Sequence, residues 1–199
     1  MQFKSLEPGI EVAGGSLQAI VEGFSKYPSV AVKYLTKFGL VKADSSGKTP
    51  EIDPEGWYSQ DAWLAAYEAI AKEVGFNSLY TIGKAIVEVT QIPKHVADIH
   101  AGLKSLDVIY HMNHRKNGRI LFNPETGETL PGIGHYKYQP VTNEKCIIMV
   151  CDNPYPCDFD RGLITGLGGR FEQQSSTRHD NDAPCRKKGA ESCTYIVRW

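Results

Sequence analysis

The chain has 199 residues, of which 41% are hydrophobic and 23% charged, and its formal net charge is −1. That length suits one domain whose core needs no disulfide staples. The near-neutral charge excludes nucleic acid or an anionic membrane as an electrostatically held partner.

The opening segment, MQFKSLEPGIEVAGG, lacks the basic stretch followed by an apolar run that marks a secretory signal. No run of about 18 apolar residues occurs that would span a bilayer. The expected location is therefore the cytoplasm, where the five cysteines are thiols or metal ligands before they are disulfides. Leu17, Ile20, Val21 and Phe24 then fall at helical spacing, with Ser16 as the expected N-cap. Pro28 opens a second helix over Val30 to Phe38, closed by Gly39. Lys42 to Gly56 reads as a loop, rich in Ser, Gly, Pro and acids. Ser59 and the residues after it open a helix over Trp63 to Val74, with Trp63, Tyr67, Ile70 and Val74 as its apolar stripe. A further helix starts at Asn77 and stops before Pro93. The segment HVADIHAGLKSLDVIYHMNHR is predicted helical throughout, with Val96, Ile99, Leu103, Leu106 and Tyr110 along one face.

The texture changes after Arg115. Gly118 to Phe122 reads as a strand, NPETGET as a turn, and Gly132 to Tyr138 as the partner strand. Cys146 to Cys151 (CIIMVC) reads as a buried strand. Phe159 to Phe171 reads as a helix despite Gly162, Gly166, Gly168 and Gly169, each of which costs helix stability. These glycines do not form Gly-x-Gly-x-x-Gly, so close helix packing or a helix end is the better reading than a phosphate cradle. Glu172 to Arg178 and Thr194 to Trp199 close the chain as two strands. Helices first, then a sheet crossed by one helix, predict an α+β fold in which N-terminal helices pack on a C-terminal antiparallel sheet. Residues 1–199 are read as one ligand-binding domain, with 1–56 as an N-terminal helical extension and 57–199 as its core.

The strongest chemical signal is the group Cys157, His179, Asp180, Asp182, Cys185 and Cys193, all competent zinc ligands. Three sulfurs need a fourth donor to close a tetrahedron. Asp182 is nearest in sequence and His179 is the alternative. The plain alternative is that these are ordinary buried cysteines, since no Cys-x-x-Cys pair is present.

The segments NPYPCDFDRGLITGL, DAPC and CRKKGAESCTYIV resemble the 4-vinyl reductase domain family. They share an aromatic-Pro-Cys turn, a Gly-containing helix, an acid three residues before a Cys, and a Gly and second Cys before a final aromatic strand. The resemblance covers roughly the last fifty residues. It implies a zinc site of three cysteines and a carboxylate, carried here by Cys157, Asp182, Cys185 and Cys193, with Asp where the family usually has Glu. It also implies helices against an antiparallel sheet, a homodimer, and a small hydrophobic or aromatic ligand, as in the phenol-sensing regulator domains. The same fold is shared with a vesicle-tethering subunit and related to haem nitric-oxide sensors. Those sensors hold haem with a proximal His and a Tyr-x-Ser-x-Arg motif; this chain has no such motif, so haem stays open only through its histidines.

His111 and His114 are three residues apart and would share a helix face. With Trp63, Tyr110, Tyr136 and Tyr138 they are the candidate ligand-binding residues, against the plainer reading of core aromatics and an exposed helix end. The function expected is a non-enzymatic small-molecule sensor with structural zinc, passing its signal to a separate partner. The rivals are an enzyme acting on a tetrapyrrole or aromatic compound, with His111 and His114 as its acid–base pair, and a protein-interaction module of the same fold.

Overall fold

The structure is a computed structural model, and it describes residues 2–24, 27–42, 52–89, 92 and 95–199. A short strand, β1 (Ile10–Ala13), leads directly into α1 (Gly14–Gly23). The helix thus starts before the expected cap, and Ser16 lies inside it. Gly14 and Gly15 explain why: their N–H groups donate to the carbonyls of Gly56 (2.8 Å) and Pro54 (3.0 Å). A passing loop therefore satisfies first-turn donors that a side-chain cap would otherwise serve. It runs so close that a Cβ on Gly14 would sit 1.9 Å from the Asp53 carbonyl oxygen.

Helix α2 (Pro28–Lys37) follows, with Pro28 in its first turn as expected. The predicted loop lies largely in residues 43–51, outside those described. A second short strand, β2 (Trp57–Ser59), ends at Ser59, whose hydroxyl accepts the N–H of Ala62 at 3.3 Å and caps α3 (Gln60–Val74). The predicted stripe points inward: Trp63, Tyr67 and Ile70 are fully buried. Helix α4 spans Asn77–Val89.

The predicted helix over 95–115 is shorter than its apolar stripe. Asp98 caps α5 (Ile99–Met112) by accepting the Ala101 N–H at 2.7 Å, and Asn113 ends it, donating its side-chain amide to the Ile109 carbonyl at 2.8 Å. His114 therefore starts a strand, β3 (His114–Lys116), instead of continuing the helix. β3 pairs antiparallel with β1, which also pairs with β2, and β4 (Arg119–Ile120) completes the sheet in the order β2-β1-β3-β4. Arg115 and Glu11, cross-strand neighbours, form a two-pronged ion pair at 2.7 and 3.1 Å. The strand expected over Gly118 to Phe122 is split. β5 (Phe122–Asn123) pairs with β6 (Glu128–Thr129) across the NPETGET turn, so the Gly132–Tyr138 segment is not the partner.

That segment instead feeds β7 (Tyr136–Pro140), the edge of a second antiparallel sheet. Its other strands are β8 (Cys146–Cys151), β9 (Ser176–His179) and β10 (Cys193–Arg198), in the order β7-β8-β10-β9. Helix α6 (Cys157–Phe171) crosses between β8 and β9. Of its glycines, Gly162 serves packing, one of the two readings left open, while a Cβ on Gly169 would meet nothing: a Cβ on Gly162 would lie 2.2 Å from the Tyr80 carbonyl oxygen, and one on Gly83 2.3 Å from that of Phe159. Backbone thus meets backbone where α4 and α6 cross, and that contact offsets the helix cost of glycine. The α+β order predicted from the sequence holds, with the first small sheet added. No helix among the described residues is long and apolar enough to cross a membrane.

Candidate functional site

Helices α1, α4, α5 and α6 line a cavity of about 340 Å³, partly open to solvent, against β7 and the β8–α6 turn. That is within the range of small-molecule pockets, about 300–1,000 Å³. Its walls are mostly aliphatic, from Ile20, Ile86, Val87, Leu106, Leu163 and Leu167 among others. Among the described residues, no Lys, Arg, Asp or Glu lines it.

The cavity has one aromatic, polar end. Tyr110 on α5, His114 on β3, Tyr136 on β7, and Tyr155 in the Asn153-Pro-Tyr-Pro turn all border it. His114 Nδ1 donates to the Tyr110 carbonyl (2.7 Å), so its Nε2 accepts from the Tyr155 hydroxyl (3.1 Å). The Tyr110 hydroxyl donates to the Ile133 carbonyl at 2.8 Å. Burial pushes the hydroxyl pKa values of Tyr110, Tyr136 and Tyr155 upward, which keeps these groups as neutral donors. Behind Tyr155, Gln60 and Trp63 approach closely enough to oppose that shift, although neither makes a hydrogen bond of good geometry. The same burial lowers His114 to a pKa of about 4, so the imidazole is neutral.

This depression makes His114 a source of acid sensitivity. The unfolded chain takes up a proton near the ordinary His value of about 6.5, while the folded chain resists until about 4. His114 thus contributes stability that is fully present above about pH 6.5 and is lost as pH falls toward 4, a difference on the order of 3 kcal/mol. Denaturant unfolding of the wild type and of His114→Phe at pH 7.5 and pH 4.5 should show a smaller pH slope in the variant. Equal slopes would mean that His114 is not held neutral.

A buried polar network joins this wall to the chain's C-terminal loop. The Tyr136 hydroxyl donates to Asp160 Oδ1 (2.6 Å) on α6, and Arg186 pairs with Asp160 Oδ2. Both charged side chains are fully buried. Arg186 also donates to the backbone carbonyl and side-chain oxygen of Asn153. Burial raises the Asp160 pKa to about 6, with Arg186 and the Tyr136 hydrogen bond opposing.

Arg186 leads to the cysteines. Its own backbone N–H donates to Cys193 Sγ at 3.3 Å. Cys157, at the first turn of α6, Cys185, before the short 3-10 turn Arg186–Lys188, and Cys193, at the start of β10, bring their sulfurs together. The separations are 2.9 Å (157–193), 4.0 Å (157–185) and 3.9 Å (185–193). The closest pair titrates as a unit: the contact with Cys193 drives the Cys157 pKa up, and the contact with Cys157 drives that of Cys193 down. His179, at the end of β9, completes the group, with one ligating atom from each of the four residues within 4.8 Å of the others. Its Nε2 is buried and has no hydrogen-bond partner of good geometry among the described residues. Asp182 is not in this group; it lies in the bend after β9, with its N–H on Asp180 Oδ1. Of the two fourth ligands the sequence left open, the fold brings in the imidazole. Three thiol sulfurs and an imidazole are a fitting donor set for zinc, whose sulfur ligands at about 2.3 Å would stand about 3.8 Å apart.

Among the other candidates, Tyr110, His114 and Tyr136 border the cavity, whereas Trp63, His111 and Tyr138 do not. Trp63 stacks on Tyr67 in the core (5.2 Å, 24°). Tyr138 bonds His100 Nδ1 at 2.6 Å near the start of α5, away from the cavity. His111 and His114 part company, because the helix ends between them. His111 instead joins Asp107 and His135. Tyr155 and Phe159 were missed as cavity residues, although both belong to the segment that carries the family resemblance.

No protein-family model and no curated protein matches the chain. Among solved structures it is similar to an H-NOX protein from S. oneidensis in the Fe(II)NO ligation state, at 15% identity and a TM-score of 0.63, over 94% of this chain and 98% of that one. It is also similar to an oxygen-binding H-NOX domain related to soluble guanylate cyclases, at 15% identity and a TM-score of 0.62, over 93% of both chains. A third likeness is to the SO2144 H-NOX domain from Shewanella oneidensis in the Fe(II)CO state, at 16% identity and a TM-score of 0.58, over 94% of this chain and 97% of that one. The chain thus has the H-NOX fold, the relative expected from the haem-sensor side of the resemblance, while the 4-vinyl reductase likeness rests on the quoted residues alone.

A haem does not fit the residues of this cavity. An axial imidazole needs a free nitrogen, and His114 Nε2 already accepts the Tyr155 hydroxyl, which ligation would have to displace. The acidic side chains of a haem need cations, and the described residues of the lining include none.

Proposed function

We propose that the chain is a non-enzymatic sensor module whose cavity binds a small, uncharged hydrophobic or aromatic molecule. Zinc held by Cys157, His179, Cys185 and Cys193 is structural in this reading. The observation that carries it is the cavity itself: a mostly aliphatic pocket of about 340 Å³ with no charged side chain among its described lining and a polar end at His114 and Tyr155. A carboxylate or phosphate buried there would lack a counter-charge, which is costly. A hydroxyl or carbonyl can reach Tyr155 or Asn113, both of which border the chamber. Four protein donors leave a zinc ion no open position for substrate, which favours a clamp over a catalytic centre. A homodimer and a separate signalling partner, implied by the family resemblance, belong to the same proposal.

Thermal unfolding with a panel of neutral monocyclic aromatics and phenols tests it. At a ligand concentration a hundredfold above Kd the stabilisation is about 2.7 kcal/mol, a rise in Tm of about 5–10 °C for a chain this long. Tyr155→Phe should weaken a hydroxyl-bearing ligand about tenfold, the value of one hydrogen bond, and benzoate should not stabilise. A strong visible band in freshly purified protein, or no shift with any neutral compound, would defeat the reading.

A further inference from the structure

A second cluster of ligating side chains lies apart from the cysteines and from the cavity. Asp107 and His111 sit four residues apart on α5 and so share a helix face. His135, in the residue before β7, is delivered over them: the His111 and His135 rings lie 4.9 Å apart, tilted by 31°. One ligating atom from each of the three lies within 4.8 Å of the others.

The surroundings hold this group in place. The Tyr136 N–H donates to Asp107 Oδ1 at 2.8 Å, and Asp107 Oδ2 faces His135 Nδ1 at 3.2 Å. The backbone N–H of His135 is fixed by Asp152, whose charge Lys137 answers at 2.6 Å. His111 Nδ1 donates to the Asp107 backbone carbonyl at 2.8 Å. That bond sets the tautomer and leaves Nε2 with its lone pair, the way metal-bound histidines are commonly oriented. His111 Nε2 is buried, has no hydrogen-bond partner among the described residues, and belongs to a side chain with 0% exposure.

We infer that Asp107, His111 and His135 form a second metal site, one that takes a divalent transition-metal ion at the seam between α5 and β7. Two imidazoles and one carboxylate suit Zn²⁺, Co²⁺ or Ni²⁺, whereas Mg²⁺ and Ca²⁺ prefer all-oxygen sites. An ion there uses the His111 lone pair that the protein leaves unmatched. Asp107 and His135 are 22% and 35% exposed, which gives the ion a route in and leaves room for water as a further ligand. The site shares no residue with the cysteine cluster, so the two can be filled and emptied independently.

Cobalt separates them by colour. Thiolate ligation gives an intense sulfur-to-cobalt band in the near ultraviolet, and an imidazole–carboxylate site gives only weak visible bands. The full-length protein is titrated with Co²⁺ while absorbance and bound metal per chain are followed. The expected result is two equivalents in wild type, one of them without the thiolate band. His135→Ala, at a half-buried position, and Asp107→Asn, of unchanged shape, should each weaken that second equivalent at least tenfold. Both should keep the thiolate-banded one and their Tm. Cys185→Ser should do the reverse, so a failure of the zinc reading is read separately. Wild type that binds no ion outside the cysteines, or a second equivalent that survives both variants, overturns the inference.

Discussion

Cys193→Ser is expected to abolish bound zinc and lower Tm by about 10 °C or more. Cys193 is fully buried at the head of β10, and its sulfur is within 4 Å of both other cluster sulfurs and accepts the Arg186 N–H. In zinc-finger peptides a structural zinc contributes about 10 kcal/mol or more of apparent folding energy. Half of that, at about 2–4 °C per kcal/mol for a chain of this size, already gives the stated drop. The cluster ties α6, β9 and the loop before β10, so its loss should loosen the second sheet at β9 and β10 first. Metal analysis and thermal unfolding, each with and without a chelator, decide it. A chelator should lower the Tm of wild type to that of the variant and leave the variant unchanged. Purified protein with no zinc and a Tm indifferent to chelation would mean that the cysteines are simply small core residues.

Asp160→Asn should destabilise the protein by about 3–5 kcal/mol, because it leaves a buried guanidinium without its counter-ion. Arg186 and Asp160 have no exposed side-chain surface, and the pair is braced by Tyr136 and Asn153. The expected fall in Tm is about 6–20 °C at 2–4 °C per kcal/mol. The double variant Asp160→Leu with Arg186→Met should recover much of the loss, since replacing both members of a buried pair by apolar groups is often neutral. A double-mutant cycle by chemical denaturation measures the coupling. Additive losses would show that the two residues act separately. Tyr136 borders the cavity and Arg186 sits between two cluster cysteines. The cycle therefore also measures the polar connection between the two regions.

Much of the fold was legible in the sequence because the signals are local. The Trp63-Tyr67-Ile70 stripe and the CIIMVC run are periodicities of one segment, and each was buried as its period required. Ser59 capped the helix that it was expected to open. The glycines of α6 were readable as packing residues, although their partner, Gly83 on α4, was not. What failed locally was answered from far away in the chain. Ser16 is not a cap because residues 54–56 supply the acceptors for α1, and Gly132–Tyr138 did not join the nearby hairpin because β8 offers it a longer edge.

By itself the sequence determined the α+β order and the aromatic character of the Asn153-Pro-Tyr-Pro turn, while the grouping of Cys157, Cys185 and Cys193 was what the family resemblance implied. Only the tertiary structure decided which histidine goes where. Tyr195 pairs with His179 across β10 and β9, and this register carries the imidazole to the cysteines while Asp182 stays in the bend. The end of α5 at Asn113 sends His114 to the cavity and leaves His111 with Asp107 and His135. The physical reason is the same in both cases. Side-chain spacing along one segment follows from its own period, whereas the neighbours of a side chain depend on pairing register and helix termination, which are settled by contacts remote in sequence.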